Sequence, residues 1–145
     1  MLFGLAAAYA LWVGLFFIAW LVLDVVGKWF MFVKMGEPGW KSLIPIYSEY
    51  TVYKNVWQPV YFLAFVIVSC VGSYMSMSDG STASYLANLC SCAAFVLTFL
   101  ENIKLSRSFG HGYLFALGLL IFNPIFTMIL GLGSSMYYGN FSEAN

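Results

Sequence analysis

Long uncharged runs alternate along the chain with short polar intervals. Four of the runs approach or exceed the roughly 20 apolar residues that carry a helix across a ~30 Å hydrocarbon core. Residues 2–23, 60–77 and 113–132 hold no charge, and the run at 84–105 meets its first charge at Glu101. Backbone in lipid must satisfy its polar groups internally, so the pattern predicts an all-α membrane protein with four transmembrane helices in a single domain over 1–145. The first run is read as a retained anchor, because it lacks a positive flank and is longer than the apolar stretch of a cleaved leader.

Residues 35–57 follow a different pattern, too polar to cross a membrane and too aromatic to float free. Gly36-Glu37-Pro38-Gly39 is a turn cluster. Trp40, Leu43, Ile44 and Tyr47 then recur at helical spacing, with Lys41 and Ser48 pointing elsewhere, until Pro45 breaks or kinks the run. Tyr50, Tyr53, Lys54 and Trp57 form a second amphipathic turn. Tyr and Trp settle at the headgroup level, so the segment is expected at the cytoplasmic interface. Two readings are open: an orienting belt, or a re-entrant flap over a cytoplasmic cavity.

Charge fixes the expected orientation. Lys28, Lys34, Lys41 and Lys54 lie between the first and second runs, and Lys104 and Arg107 between the third and fourth. The positive-inside rule then places both of these loops in the cytoplasm and both termini outside. Composition agrees with a lipid partner: 8% of residues are charged, 62% apolar and 20% aromatic, with a mean hydropathy of +0.86. A water-facing domain carries about 25% charged residues. Six basic residues balance six acidic ones, which excludes the cationic excess that nucleic-acid phosphates would need.

The stretch Phe32 to Tyr50, F-V-K-M-G-E-P-G-W-K-S-L-I-P-I-Y-S-E-Y, together with the Ser106 to Leu119 stretch around F-G-H-G-Y, resembles a family of small bacterial multi-pass membrane proteins of unknown function. That family carries a G-x-P-G-W-K-x-L-I-P-I-Y motif; Ser48 and His111 stand where it usually has Asn and Lys. The resemblance implies a protein of the bacterial cytoplasmic membrane and assigns no catalytic residues.

Charges near lipid are the first candidates for function, because each costs about 2.5–3.5 kcal/mol on insertion scales. Asp24 and Lys28 are four apart and able to pair. Glu101 and Asn102 stand beside Lys104 and Arg107. Asn123-Pro124 interrupts the last run and frees the Leu120 carbonyl, a device that transporters use to bind cations. Asp24, Lys28, Glu101, Asn102 and Asn123 are therefore the candidate ion or polar site, against the plainer reading of ion pairs that neutralise one another. Ala6, Ala10 and Gly14 form a small-residue helix face for packing, within the bundle or in a homo-oligomer. Gly110 and Gly112 around His111 mark a turn. Cys70 and Cys90 are at matching depth about Gly80, Cys92 lies nearby, and small apolar packing is the role expected of them rather than a bridge. Asn140-Phe141-Ser142 fits a glycosylation sequon but is read as incidental.

No metal-ligand spacing, phosphate loop, dinucleotide fingerprint or nucleophile elbow is present, so catalysis is the least favoured class and no cofactor is expected. Two functions remain. The first is a non-catalytic membrane protein that binds or organises a membrane partner or self-assembles. The alternative is a small ion or small-molecule channel or transporter, with carboxylates at the inner face.

Overall fold

The first apolar run continues well past its expected end. In a computed structural model, which describes residues 2–78 and 80–139, helix α1 spans Leu2–Lys34. It absorbs Asp24 and Lys28 because they fall one turn apart and pair at 3.2 Å. A 3-10 helix at Gly39–Leu43 and α2 at Pro45–Val56 follow. Pro45 does more than break a run: it opens α2, at the position where a missing N–H costs least. Next come α3 (Pro59–Ser76) and α4 (Ser81–Ser108), folded against each other about Gly80, whose φ of 148° suits only glycine. Gly72 sits so close to Cys90 that an added Cβ would lie 2.9 Å from it. The three cysteines are free.

The fourth expected span is corrected. Three helices, within α1, α3 and α4, are long and apolar enough to cross a membrane, not four. The run at 113–132 is divided into α5 (Tyr113–Ile121) and α6 (Asn123–Leu132) by Phe122 at φ −123°, ψ 52°. Pro124 supplies no N–H, which favours a break over continuation. The two halves fold back on one another. The rings of Phe115 and Phe126 meet at 4.9 Å between centroids, and Gly118 provides the space against Phe126. His111 Nε2 lies 2.8 Å from Ser135 Oγ, and the Tyr138 N–H donates to the Ser108 carbonyl at 2.8 Å. A continuous helix of that length would hold its ends about 30 Å apart.

Helix α6 then runs parallel to α1. Gly27 faces Thr127 and Met128, Gly131 faces the Gly27 carbonyl, and the Lys34 ammonium donates to the carbonyls of Leu130, Gly133 and Ser135 at 2.6, 2.6 and 3.1 Å. The last described residues therefore lie at the Lys34 end of the bundle, whereas α1 begins at the other end.

The core is confined to the same end. Met31, Phe32, Met35, Val52, Val56, Leu105, Phe109, Leu119 and Leu130 form one buried cluster. Residues 6–23 of α1 are exposed throughout, apart from a half-buried Trp20. Ala6, Ala10 and Gly14 belong to this bare stretch, with nothing within 4 Å of a Cβ built on Gly14, so among the described residues no other helix packs against them. Exposed Trp12, Phe16, Phe17 and Ile18 beside them are intelligible only with lipid as the solvent. The architecture is that of a membrane-embedded helical protein. The Asn140 sequon lies outside the described residues.

Candidate functional site

Helix α2 lies across the Lys34 end of the bundle and turns some of its polar side chains inward. Tyr53 is clamped against Phe62 and Phe65 of α3, and Tyr137 donates to the Asn55 carbonyl at 2.5 Å. The expected grouping of Tyr50, Tyr53, Lys54 and Trp57 on one interfacial face is corrected for Tyr53, which is 1% exposed. Three residues cannot advance a helix by a whole turn, and the buried position falls to the ring that α3 can cover. Trp40, Tyr47 and Tyr50 remain exposed, Trp57 stacks on Tyr61, and Lys41 lies 5.7 Å from the centre of the Tyr47 ring.

The inward face of α2 carries Glu49 to Lys28 of α1, at 3.2 Å, the same distance as Lys28 to Asp24. One ammonium thus bridges two carboxylates. Beyond it, α4 contributes Glu101 and Asn102, both more than nine-tenths buried. The Asn102 side chain donates to the Thr98 carbonyl at 2.9 Å, one turn back, which fixes its orientation. The break before α6 delivers Asn123 to the same place. Thr127 donates one turn back to the carbonyls of Asn123 and Pro124, at 2.9 and 3.0 Å, in the first turn of α6.

These side chains enclose a cavity of about 170 Å³, lined by Lys28, Glu49, Glu101, Asn102, Asn123 and Thr127 among others. A second cavity, of about 220 Å³, adjoins it on the α1 side and includes Trp20, Asp24 and Pro124. Lys28 and Asn123 line both. Asn123 Oδ1 and Ser48 Oγ are buried with no hydrogen-bond partner among the described residues. Burying a polar group without a partner costs about 1–3 kcal/mol, so each points to something that completes it. The Tyr53 hydroxyl faces Glu101 and Glu49, and burial first, then these two carboxylates, holds it well above the usual phenol range.

The sequence-derived candidates are thus brought together. Lys28, Glu101, Asn102 and Asn123 share one cavity, and Asp24 is joined to it through Lys28. The competing reading, mutual neutralisation, fits Asp24 and Lys28 but not Glu101. Among the described residues Glu101 forms no ion pair with Lys104 or Arg107: the Lys104 ammonium sits 5.9 Å from the Trp57 ring centre, and Arg107 is exposed. Sequence reasoning missed Glu49, Thr98 and Thr127, since nothing local marks which turn of α2 or α6 faces inward. It also missed Glu37, which accepts from Lys41 at 2.5 Å and from Lys54 at 2.9 Å. The spacing of four between Glu37 and Lys41 was the available signal. Those two ammonium groups, Lys41 first, depress the Glu37 carboxyl to about 2, and the hydrogen bond to Glu37, then its charge, raises Lys54 above its ordinary value.

A family model matches residues 40–140, from the 3-10 helix through the hairpin. The chain belongs to the Family of unknown function (DUF5684). The match includes Glu49, Glu101, Asn102 and Asn123, whereas Asp24 and Lys28 precede it. No curated protein and no solved structure matches the chain. Among the described residues no three His, Cys, Asp or Glu side chains converge closely enough to hold a metal ion between them.

Proposed function

We propose that the protein is a non-catalytic membrane protein that binds a small polar solute in the cavity between α1, α2, α4 and the α5–α6 hairpin and lets it cross the membrane. The observation that carries this reading is a polar cavity closed by a helix break in a chain whose other long helices are apolar. Asp24, Lys28, Glu49 and Glu101 are costly to keep there, and groups kept at such cost in membrane proteins mark solute and ion pathways. Interrupted helices serve the same purpose in transporters, where the ends of half-helices and unwound backbone face the solute.

Lys34, Lys41, Lys54, Lys104 and Arg107 gather at the hairpin end, so the positive-inside rule turns that end to the cytoplasm. In the bacterial cytoplasmic membrane the hairpin would then be re-entrant from the inner face. A second reading, self-assembly through α1, is supported by the bare Ala6, Ala10 and Gly14 face, which leaves room for another helix. The experiment is solute and ion flux into proteoliposomes of the purified full chain. Flux above that of empty vesicles and lost in Glu101→Gln is the expected result; no flux for any small solute, with a stable oligomer, would favour self-assembly.

A further inference from the structure

We infer that the occupant of the cavity is a monovalent metal cation, and that Lys28 is a tethered cation that competes with it for the same carboxylates. The inference rests on the permeation reading above and assigns its solute class.

Charge is the first argument. Asp24, Glu49 and Glu101 are acidic, and Lys28 is the one basic side chain among them. The Lys28 ammonium alone faces both the Asp24 and the Glu49 carboxylates, so the group is short of positive charge before Glu101 is counted, in surroundings where an uncompensated charge is costly. Lys104 does not supply it, being engaged over Trp57. The second argument is the donor set. Oxygen lines the cavity through two carboxylates, two carboxamides and the hydroxyls of Thr98 and Thr127, and hard monovalent cations take oxygen ligands. Among the described residues no group donates to the buried Asn123 Oδ1, and an acceptor oxygen with no donor is one that a cation satisfies.

Size and geometry narrow the class. About 170 Å³ accommodates an ion with a few waters, each of about 30 Å³. Divalent ions favour several carboxylates at one centre, and among the described residues the acidic side chains do not converge in that way.

Lys28 then has a specific role. It borders both cavities and holds Asp24 on one side and Glu49 on the other at equal distances of 3.2 Å. An ion arriving at Glu49 and Glu101 must displace the ammonium toward Asp24. Occupancy by the tether lowers the apparent affinity by the fraction of time the site is unavailable.

The test is thermal stabilisation of the detergent-solubilised full chain by NaCl or KCl, with N-methylglucamine chloride at equal ionic strength as the reference. Saturable stabilisation by Na⁺ or K⁺ alone is expected, abolished by Glu101→Gln and with a half-saturation about ten-fold lower in Lys28→Gln. Equal stabilisation by all three salts would overturn the cation assignment. An unchanged or higher half-saturation in a Lys28→Gln protein that elutes like the parent would overturn the competitor role. If Lys28→Gln aggregates, Asp24→Asn carries the test: it leaves the ammonium to Glu49, so half-saturation should rise, and a fall would sink the idea. Proteoliposomes separate this inference from the reading beneath it. Passage of glycerol without binding or passage of Na⁺ or K⁺ overturns the cation and leaves permeation standing. Saturable ion binding without passage of any solute supports the cation and overturns permeation.

Discussion

Helix α1 meets two surroundings along its length, and two of its glycines show the contrast. At Gly14 an added Cβ would find nothing within 4 Å, whereas at Gly27 it would lie 2.8 Å from the Met128 nitrogen and the Thr127 hydroxyl. The first glycine belongs to a stretch exposed on every side, the second to a contact so close that only hydrogen fits between two backbones. One helix therefore serves as a lipid-facing rod in one half and as a wall of the polar site in the other. Asp24, Lys28 and Lys34 all fall in the second half, and only there does a second backbone come close.

The sharpest way to break this comparison is to ask where the hairpin ends. In a chain whose Cys70, Cys90 and Cys92 are replaced by serine, Ser135→Cys and Arg107→Cys should be labelled from the same side of oriented vesicles, and Ser81→Cys from the other. Labelling of Ser135→Cys together with Ser81→Cys would restore an unbroken fourth span and dissolve the polar half as described. Next in size is the glycine pair itself. Gly27→Ala should destabilise by about 1–3 kcal/mol through overpacking, while Gly14→Ala should be neutral or gain up to about 1 kcal/mol in helix propensity. Thermal or denaturant unfolding in detergent measures both; equal effects would mean that α1 and α6 do not meet as they do here.

Lys34→Met probes the end of the close-packed half. It removes a cation from the last turn of α6 and from three carbonyls, for an expected loss of about 1.5 kcal/mol and earlier proteolysis of the segment after Leu132. The smallest effect concerns acid. Because the Glu37 carboxyl is held at about 2, below its ordinary value of 4.5, the stability it contributes is present above 4.5 and drains away as pH falls toward 2. The thermal midpoint should drop across that window, and Glu37→Gln should flatten the drop. Lys54, raised by the same pair, contributes below its ordinary value of 10.5 and loses that contribution as pH rises past it.

Much of this was legible residue by residue. Asp24 and Lys28 stand at i,i+4 spacing, Asn123-Pro124 marks a break, and Glu101, Asn102 and Asn123 stand out because polar groups among apolar runs are expensive. The partners were not legible. Glu49 sits in an interfacial segment whose inward turn is set by the rings of α3, and the break at Phe122 is consistent with either a kink or a reversal until Phe126 is seen to lie on Phe115 and Gly118.

Composition and periodicity by themselves determined the solvent of this protein, the helical character of every long run and the residues whose desolvation would need a reason. Those properties depend on each segment's own side chains and on the medium. Tertiary structure alone decided that the last apolar run doubles back, that α6 lies parallel to α1, and that Glu49 meets Lys28. These depend on backbones approaching closely enough to exclude a methyl group, a relation between distant segments that no local pattern encodes.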